Sequence, residues 1–201
     1  MENQKSLSLP SIKIPQGRLG IWTLIVGEFM IFGGLIGCYI LYRLRYPEWA
    51  DQAAHTSTLI GALNTIVLLT SSFTVVKAHE AANRKDLKKI TLWLSVSILG
   101  GFLFLINKSI EYSTEISHGF TFSSPALQAD GDTIGSLFWS FYFLLTGLHG
   151  AHVIVGMILM LWALLQARKG KNLHRVELSG MYWHMVDLIW IFLFPLLYLA
   201  K

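Results

Sequence analysis

The chain has 201 residues, 53% of them hydrophobic and only 14% charged, with a formal net charge of +4. A soluble domain carries about a quarter of its residues as charges, so this composition excludes an ordinary water-soluble enzyme and describes an integral membrane protein. The basic excess lies in short clusters between long uncharged runs, which points to a membrane surface and needs no nucleic-acid partner.

Residues 1–17 are a polar segment with Pro10 and Pro15. The apolar run beyond them is too long for a signal-peptide core, so it is read as an uncleaved first span behind a polar cytoplasmic tail. About 20 residues cross a hydrocarbon core of roughly 30 Å. That length predicts transmembrane helices near 19–42, 57–78, 90–112, 134–166 and 178–199. Barrel strands would instead alternate over about ten residues. The expected fold class is all-α, a polytopic bundle of five transmembrane helices occupying residues 18–201. The fourth span would extend about 50 Å as one helix, so it must tilt or project beyond the bilayer. Cys38 is the sole cysteine and lies in the first span, which excludes a disulfide framework. The absence of an internal repeat counts against a secondary transporter.

Basic residues divide unequally between the two sides of these spans. Lys5, Lys13, Arg18, Lys77, Arg84, Lys85, Lys88, Lys89, Arg168, Lys169, Lys171 and Arg175 fall on one side, and Arg43, Arg45, Lys108 and Lys201 on the other. Cytoplasmic segments favour Lys and Arg, so the N-terminus is expected inside and the C-terminus outside. The segment from Ser113 to Thr133 contains Glu115, Asp130 and Asp132 but no Lys or Arg, as suits an outer loop. The run AHEAANRKDLKK, residues 78–89, reads as a solvated cytoplasmic loop attracted to anionic headgroups.

Five ionisable side chains stand out within the spans. His149 and His152 occur in GLHGAHVIVG on the fourth span, about 60° apart around a helix. His184 and Asp187 share a stripe on the fifth, and Glu28 lies on the first at a depth similar to that of Asp187. Matching depths let these groups meet in the bundle interior. A central Asp costs about 2.5–3.5 kcal/mol to insert, so such groups are expected to be paired, or a carboxyl to be carried protonated. A metal or haem site is one reading, since pairs of histidines on facing helices build such sites. A structural zinc wants four ligands, however, and the chain has no CxxC and only scattered histidines outside the spans, at His55, His118 and His174. Interhelical hydrogen bonding, worth about 0.6–2 kcal/mol per contact, is the preferred reading. No nucleophile triad order, phosphate loop or dinucleotide fingerprint occurs, so no catalytic, cofactor-binding or metal residue is assigned to this chain.

Small and aromatic residues receive packing roles. Gly33 with Gly37, and Gly147 with Ala151, are read as close helix contacts. Trp22, Tyr42, Tyr46 and Trp49 are read as interfacial anchors, and Trp183 and Trp190 as packing in the bundle or against lipid.

Four segments resemble one family in its own order. GEFMIF in the first span matches the position of a membrane-embedded carboxylate, and LNTIVLLTSSFTVVKAHEA, FYFLLTGLHGAHVIVGMILM and YWHMVDLIWIFLFPLLYL resemble later helices of subunit III of haem-copper terminal oxidases. The likeness spans nearly the whole chain and is to the five-helix bacterial form. The resemblance implies a non-redox accessory subunit of a proton-pumping respiratory oxidase, packed on subunit I, binding phospholipid and supporting proton uptake and oxygen access. It implies no cofactor in this chain, with haem and copper in partner subunits I and II, cytochrome c or quinol as donor, and a place in the bacterial cytoplasmic (inner) membrane. Carried over by position, Glu28 is the embedded carboxylate, and His149, His152, His184 and Asp187 belong to the internal polar and lipid-associated set. Pro195 departs from the pattern and is expected to cost the last helix a hydrogen bond and to kink its end. The ending FPLLYL also resembles the accessory subunit of nitric oxide reductases. A haem-binding membrane electron carrier is the alternative from a different class.

Overall fold

The computed structural model describes residues 16–122, 124–129 and 131–199, so most of the expected polar tail lies outside the described residues. Five helices long and apolar enough to cross a membrane make up nearly all of them: α1 (Gln16–Arg45), α3 (Thr58–Asn83), α4 (Leu87–Ser117), α6 (Thr133–Arg168) and α7 (His174–Phe194). Two short helices, α2 (Trp49–Ala53) and α5 (Pro125–Ala129), cover one end. A π-helical turn, Pro195–Leu199, continues α7.

Every span is longer than its apolar run. Hydropathy marks the stretch that must avoid water, whereas backbone hydrogen bonding continues until a cap intervenes. Asp86 caps α4 by accepting the Lys89 N–H at 3.2 Å, and that bond holds its carboxyl below the usual carboxylate range. Asp132 caps α6 by accepting from the Gly135 N–H at 2.7 Å and from Gln52 Nε2 at 2.9 Å. Gly170, at φ 65°, closes α6 in the left-handed conformation, with the Lys171 N–H donating to the Gln166 carbonyl. Residues 78–89 are consequently not a loop. Helix α3 runs through Asn83, burying Ala78, Ala81 and Ala82, and only Arg84–Asp86 turn the chain into α4. At the other end of α4, Glu115 lies within the helix and is buried, not in an outer loop.

α7 occupies the middle of the bundle, in contact with α1, α3 and α6, while α4 packs between α3 and α6. The α3–α7 seam is stitched by the Trp183 indole N–H to Ser71 Oγ at 3.0 Å, Ser72 Oγ to His184 Nδ1 at 2.6 Å, and the Trp190 N–H to Thr65 Oγ1 at 3.0 Å. Trp183 and Trp190 therefore belong to the core, not to lipid. Between α3 and α4, Thr74 meets Ser97 at 2.6 Å and Asn107 donates to Asn64 at 2.9 Å. Glycines admit the indole of Trp183: a Cβ at Gly156 would lie 2.7 Å from it, and one at Gly101 3.0 Å.

The expected close packing at Gly33 and Gly37 does not occur within the chain, because a Cβ at either would meet nothing within 4 Å. α1 packs on α2, α6 and α7, and much of its surface looks outward, with Leu24, Met30, Ile31 and Leu41 exposed. Trp49 is also not an interfacial anchor. Helix α2 folds back over the bundle end and buries it completely between Tyr39, Tyr42 and Phe138. Pro195 has no N–H to donate, and the helix widens there into the π turn. The carbonyls of Leu196, Leu197 and Tyr198 accept from Tyr39, Thr56 and Thr58, which ties the chain's end to α1 and α3.

Candidate functional site

Glu28 of α1 and His152 of α6 meet across a helix boundary, with Oε2 and Nε2 separated by 2.9 Å. His152 Nδ1 lies 2.7 Å from the Leu148 carbonyl, which can only accept, so Nδ1 carries a hydrogen. A proton must also lie between Nε2 and the carboxyl. The pair is then either imidazolium with carboxylate or neutral imidazole with carboxylic acid, and in both forms its net charge is zero. Phe32 sets its ring edge against His152, at 5.3 Å between centroids. Both partners remain partly exposed at the outer boundary of the bundle.

The other histidines take different environments. His149 is completely buried, flanked by Phe104 of α4 and Trp190 of α7 at 5.4 and 5.1 Å, and neither ring nitrogen has a hydrogen-bond partner. His184 uses Nδ1 for Ser72. Asp187, one turn further along α7, is buried, with Ser72 facing it but no partner for either carboxylate oxygen at bonding distance. The five residues therefore form no single interior cluster. The turn of about 60° between His149 and His152 is enough to point one at α4 and α7 and the other at α1. Among the described residues, no group of three or more His, Cys, Asp and Glu side chains is placed to hold a metal ion.

At the basic end of the bundle, α1, α6 and α7 leave a groove of about 310 Å³ lined by Ile21, Leu159, Trp162 and Leu178, with His174 and Arg175 at its mouth. The Arg175 guanidinium stacks 3.7 Å from the Trp162 ring centroid. Beside it, Arg18 pairs with Glu177 at 2.5 Å.

Comparison with known proteins adds the family. The family model described as Cytochrome c oxidase subunit III matches residues 12–200. The chain belongs to the cytochrome c oxidase subunit III family. It is similar to cytochrome c oxidase subunit 3 of Synechocystis sp., 32% identical over 90% of this chain and 74% of the relative, and to that of Thermostichus vulcanus, 28% identical over 90% and 86%. A probable quinol oxidase subunit 3 of Staphylococcus saprophyticus is 28% identical over 90% of this chain and 88% of its own length. As a subunit III, the chain is a multi-pass membrane protein that works alongside other oxidase subunits.

This subunit III also contains a polar cluster that the sequence reasoning passed over. Lys108, counted among the outer basic residues, is instead 5% exposed. Its Nζ donates to Glu111 Oε2 at 2.8 Å, Tyr142 OH at 3.0 Å and Tyr198 OH at 2.8 Å. The rings of Tyr112, Tyr142, Trp190 and Tyr198 surround it, with centroids between 4.7 and 5.9 Å away. The available signal was the i, i+3, i+7 spacing of Lys108, Glu111 and Glu115, which places all three on one helix face.

Proposed function

We propose that this chain is the non-redox accessory subunit III of a proton-pumping haem-copper respiratory oxidase in a bacterial cytoplasmic membrane. Cytochrome c is the preferred electron donor. The chain packs on subunit I, with haem and copper held by partner subunits, and it seats phospholipid and supports proton uptake and oxygen access. The observation that supports a structural role for His152 is the commitment of both its nitrogens, one to a backbone carbonyl and one to Glu28. An imidazole used this way joins two helices and has no lone pair left for iron or copper. The groove at the basic end supports lipid seating: an anionic headgroup would meet Arg175 and His174, and its chains would lie along Ile21, Leu159 and Leu178. The Glu28–His152 link supports a part in proton handling, because it holds one transferable proton near the bundle's outer boundary. The quinol-oxidase reading is favoured by one finding, the similarity to the probable quinol oxidase subunit 3 of Staphylococcus saprophyticus.

The test is purification of the tagged chain in mild detergent, followed by visible spectroscopy and identification of the companion chains. The proposed role requires haem bands in the intact complex and none in the chain stripped of its partners. A Soret band on the stripped chain would make it an electron carrier instead. Oxygen consumption by the complex with reduced cytochrome c or with quinol then decides the donor.

A further inference from the structure

Lys108 spends all three of its N–H donors, but the carboxylates beside it are not satisfied in return. Glu111 is 1% exposed and its Oε1 has no partner, and Glu115 is 4% exposed and its Oε2 has none. The two are four residues apart on α4, a spacing that sets side chains about 6 Å apart at Cβ on one face. With both ionised, the cluster would hold two negative charges against the single positive charge of Lys108, an imbalance that a dry helix interior strongly disfavours. One added positive charge makes the cluster neutral, whereas a divalent ion would overshoot.

We propose that Lys108, Glu111 and Glu115 form a proton-holding site, in which one proton is shared between the two carboxylates and exchanged with water through the last turn of α4. In the loading step a carboxylate oxygen forms an O–H bond with a proton delivered by hydronium, leaving water, and the reverse step returns it. Glu115 lies two residues from the end of α4, so it is the member nearest the polar end of the bundle. The rise from Lys108 to Glu115 is about 10 Å, so the cluster runs from the interior toward that end. Lys108 is the fixed counter-charge, held by Tyr142 of α6 and Tyr198 of the π turn. The remaining titratable groups facing the cluster are Tyr112 of α4 and His149 of α6. On neighbouring α3 the buried polar residue Asn64 is neutral and accepts from Asn107. This site is separate from the Glu28–His152 link and does not depend on which donor the oxidase uses.

Infrared difference spectra of the full chain in a neutral-lipid bilayer, taken between acid and alkaline pH, test this directly. A protonated-carboxyl band should disappear as pH rises, be lost in Glu115→Gln, and persist in Glu28→Gln and Asp187→Asn. Proton uptake on acidification should fall by about one per chain in the same variant. Glu115→Gln leaves the Lys108–Glu111 ion pair intact, so the test survives if Glu111→Gln fails to fold. A band unchanged in Glu115→Gln and in Glu111→Gln would overturn the proposal. A saturable rise of Tm with K⁺ or Na⁺, measured against choline at constant ionic strength and abolished by Glu115→Gln, would overturn it in favour of a monovalent cation site.

Discussion

An ammonium buried among helices is tolerable only when each of its donors is matched, and the Lys108 interactions decide what its removal does. In Lys108→Met the Glu111 carboxylate stays buried without its counter-charge, a situation that costs about 3–5 kcal/mol in known cases. Adding Glu111→Leu should recover most of that loss, because Tyr142 and Tyr198 remain within 3.4 Å of one another and can pair. Thermal unfolding of the two variants in detergent measures the difference, and equal losses would show that the aromatic packing, not the charge, matters. Glu28 is under less stress at the edge of the bundle. Interhelical polar contacts in membranes are worth about 0.6–2 kcal/mol, so Glu28→Leu should cost that much and Glu28→Gln less, since an amide N–H can still donate to a neutral His152 Nε2. Of the five residues singled out by sequence, a meeting of Glu28 with an imidazole was legible from their comparable depth, whereas the choice of His152 over His149 was not, because it depends on which way each ring turns. The Lys108 cluster was not, because three charges near the end of a hydrophobic run look like the start of an aqueous loop until the helix is seen to continue past them.

At the scale of the element, small residues and caps are distinguishable only once neighbours are known. Gly156→Val would drive a side chain into the Trp183 indole and should lower stability by about 1–3 kcal/mol, as overpacking does. Gly33→Ala meets nothing within 4 Å and should leave Tm of the isolated subunit unchanged or slightly raised, since Ala is the better helix former. Spacing drew attention to Gly33 and not to Gly156, and only the placement of Trp183 shows that the second is the close contact. The turn between α3 and α4 has its own pH signature. Asp86 titrates below its ordinary range when folded, so its contribution is present above the unfolded pKa and is lost as pH falls through the folded value. Asp86→Asn keeps a capping oxygen but removes that titration, and should flatten the acid limb of the stability profile, seen as a smaller drop in Tm between neutral and acid pH. The number and order of long helices could be read from hydropathy, since the lipid core imposes a minimum apolar length. Their ends could not, because Asp86, Asp132 and Gly170 set them through hydrogen bonds that hydropathy does not register. The π turn after Pro195 was visible only as a missing donor.

For the whole molecule, the distribution of basic charge bears on which end faces the cytoplasm. The turns joining α3 to α4 and α6 to α7 carry Arg84, Lys85, Lys169 and Lys171, whereas burial removes Lys108 from the opposite side and leaves that side poorer in free basic charge than the sequence count implied. Because cytoplasmic segments favour Lys and Arg, this bias predicts that the α6–α7 turn lies inside. Single cysteines report this directly on a Cys38→Ala background, which removes the one native thiol. His118→Cys, exposed just beyond α4, should react with a membrane-impermeant maleimide on intact cells, and Lys171→Cys, exposed in the α6–α7 turn, should react only after the membrane is opened. The reverse pattern would put the Glu28–His152 link and the groove at Arg175 at the wrong depths for their proposed roles. It would also turn the proton-holding cluster on α4 toward the cytoplasm, so that it would exchange protons with that side of the membrane instead.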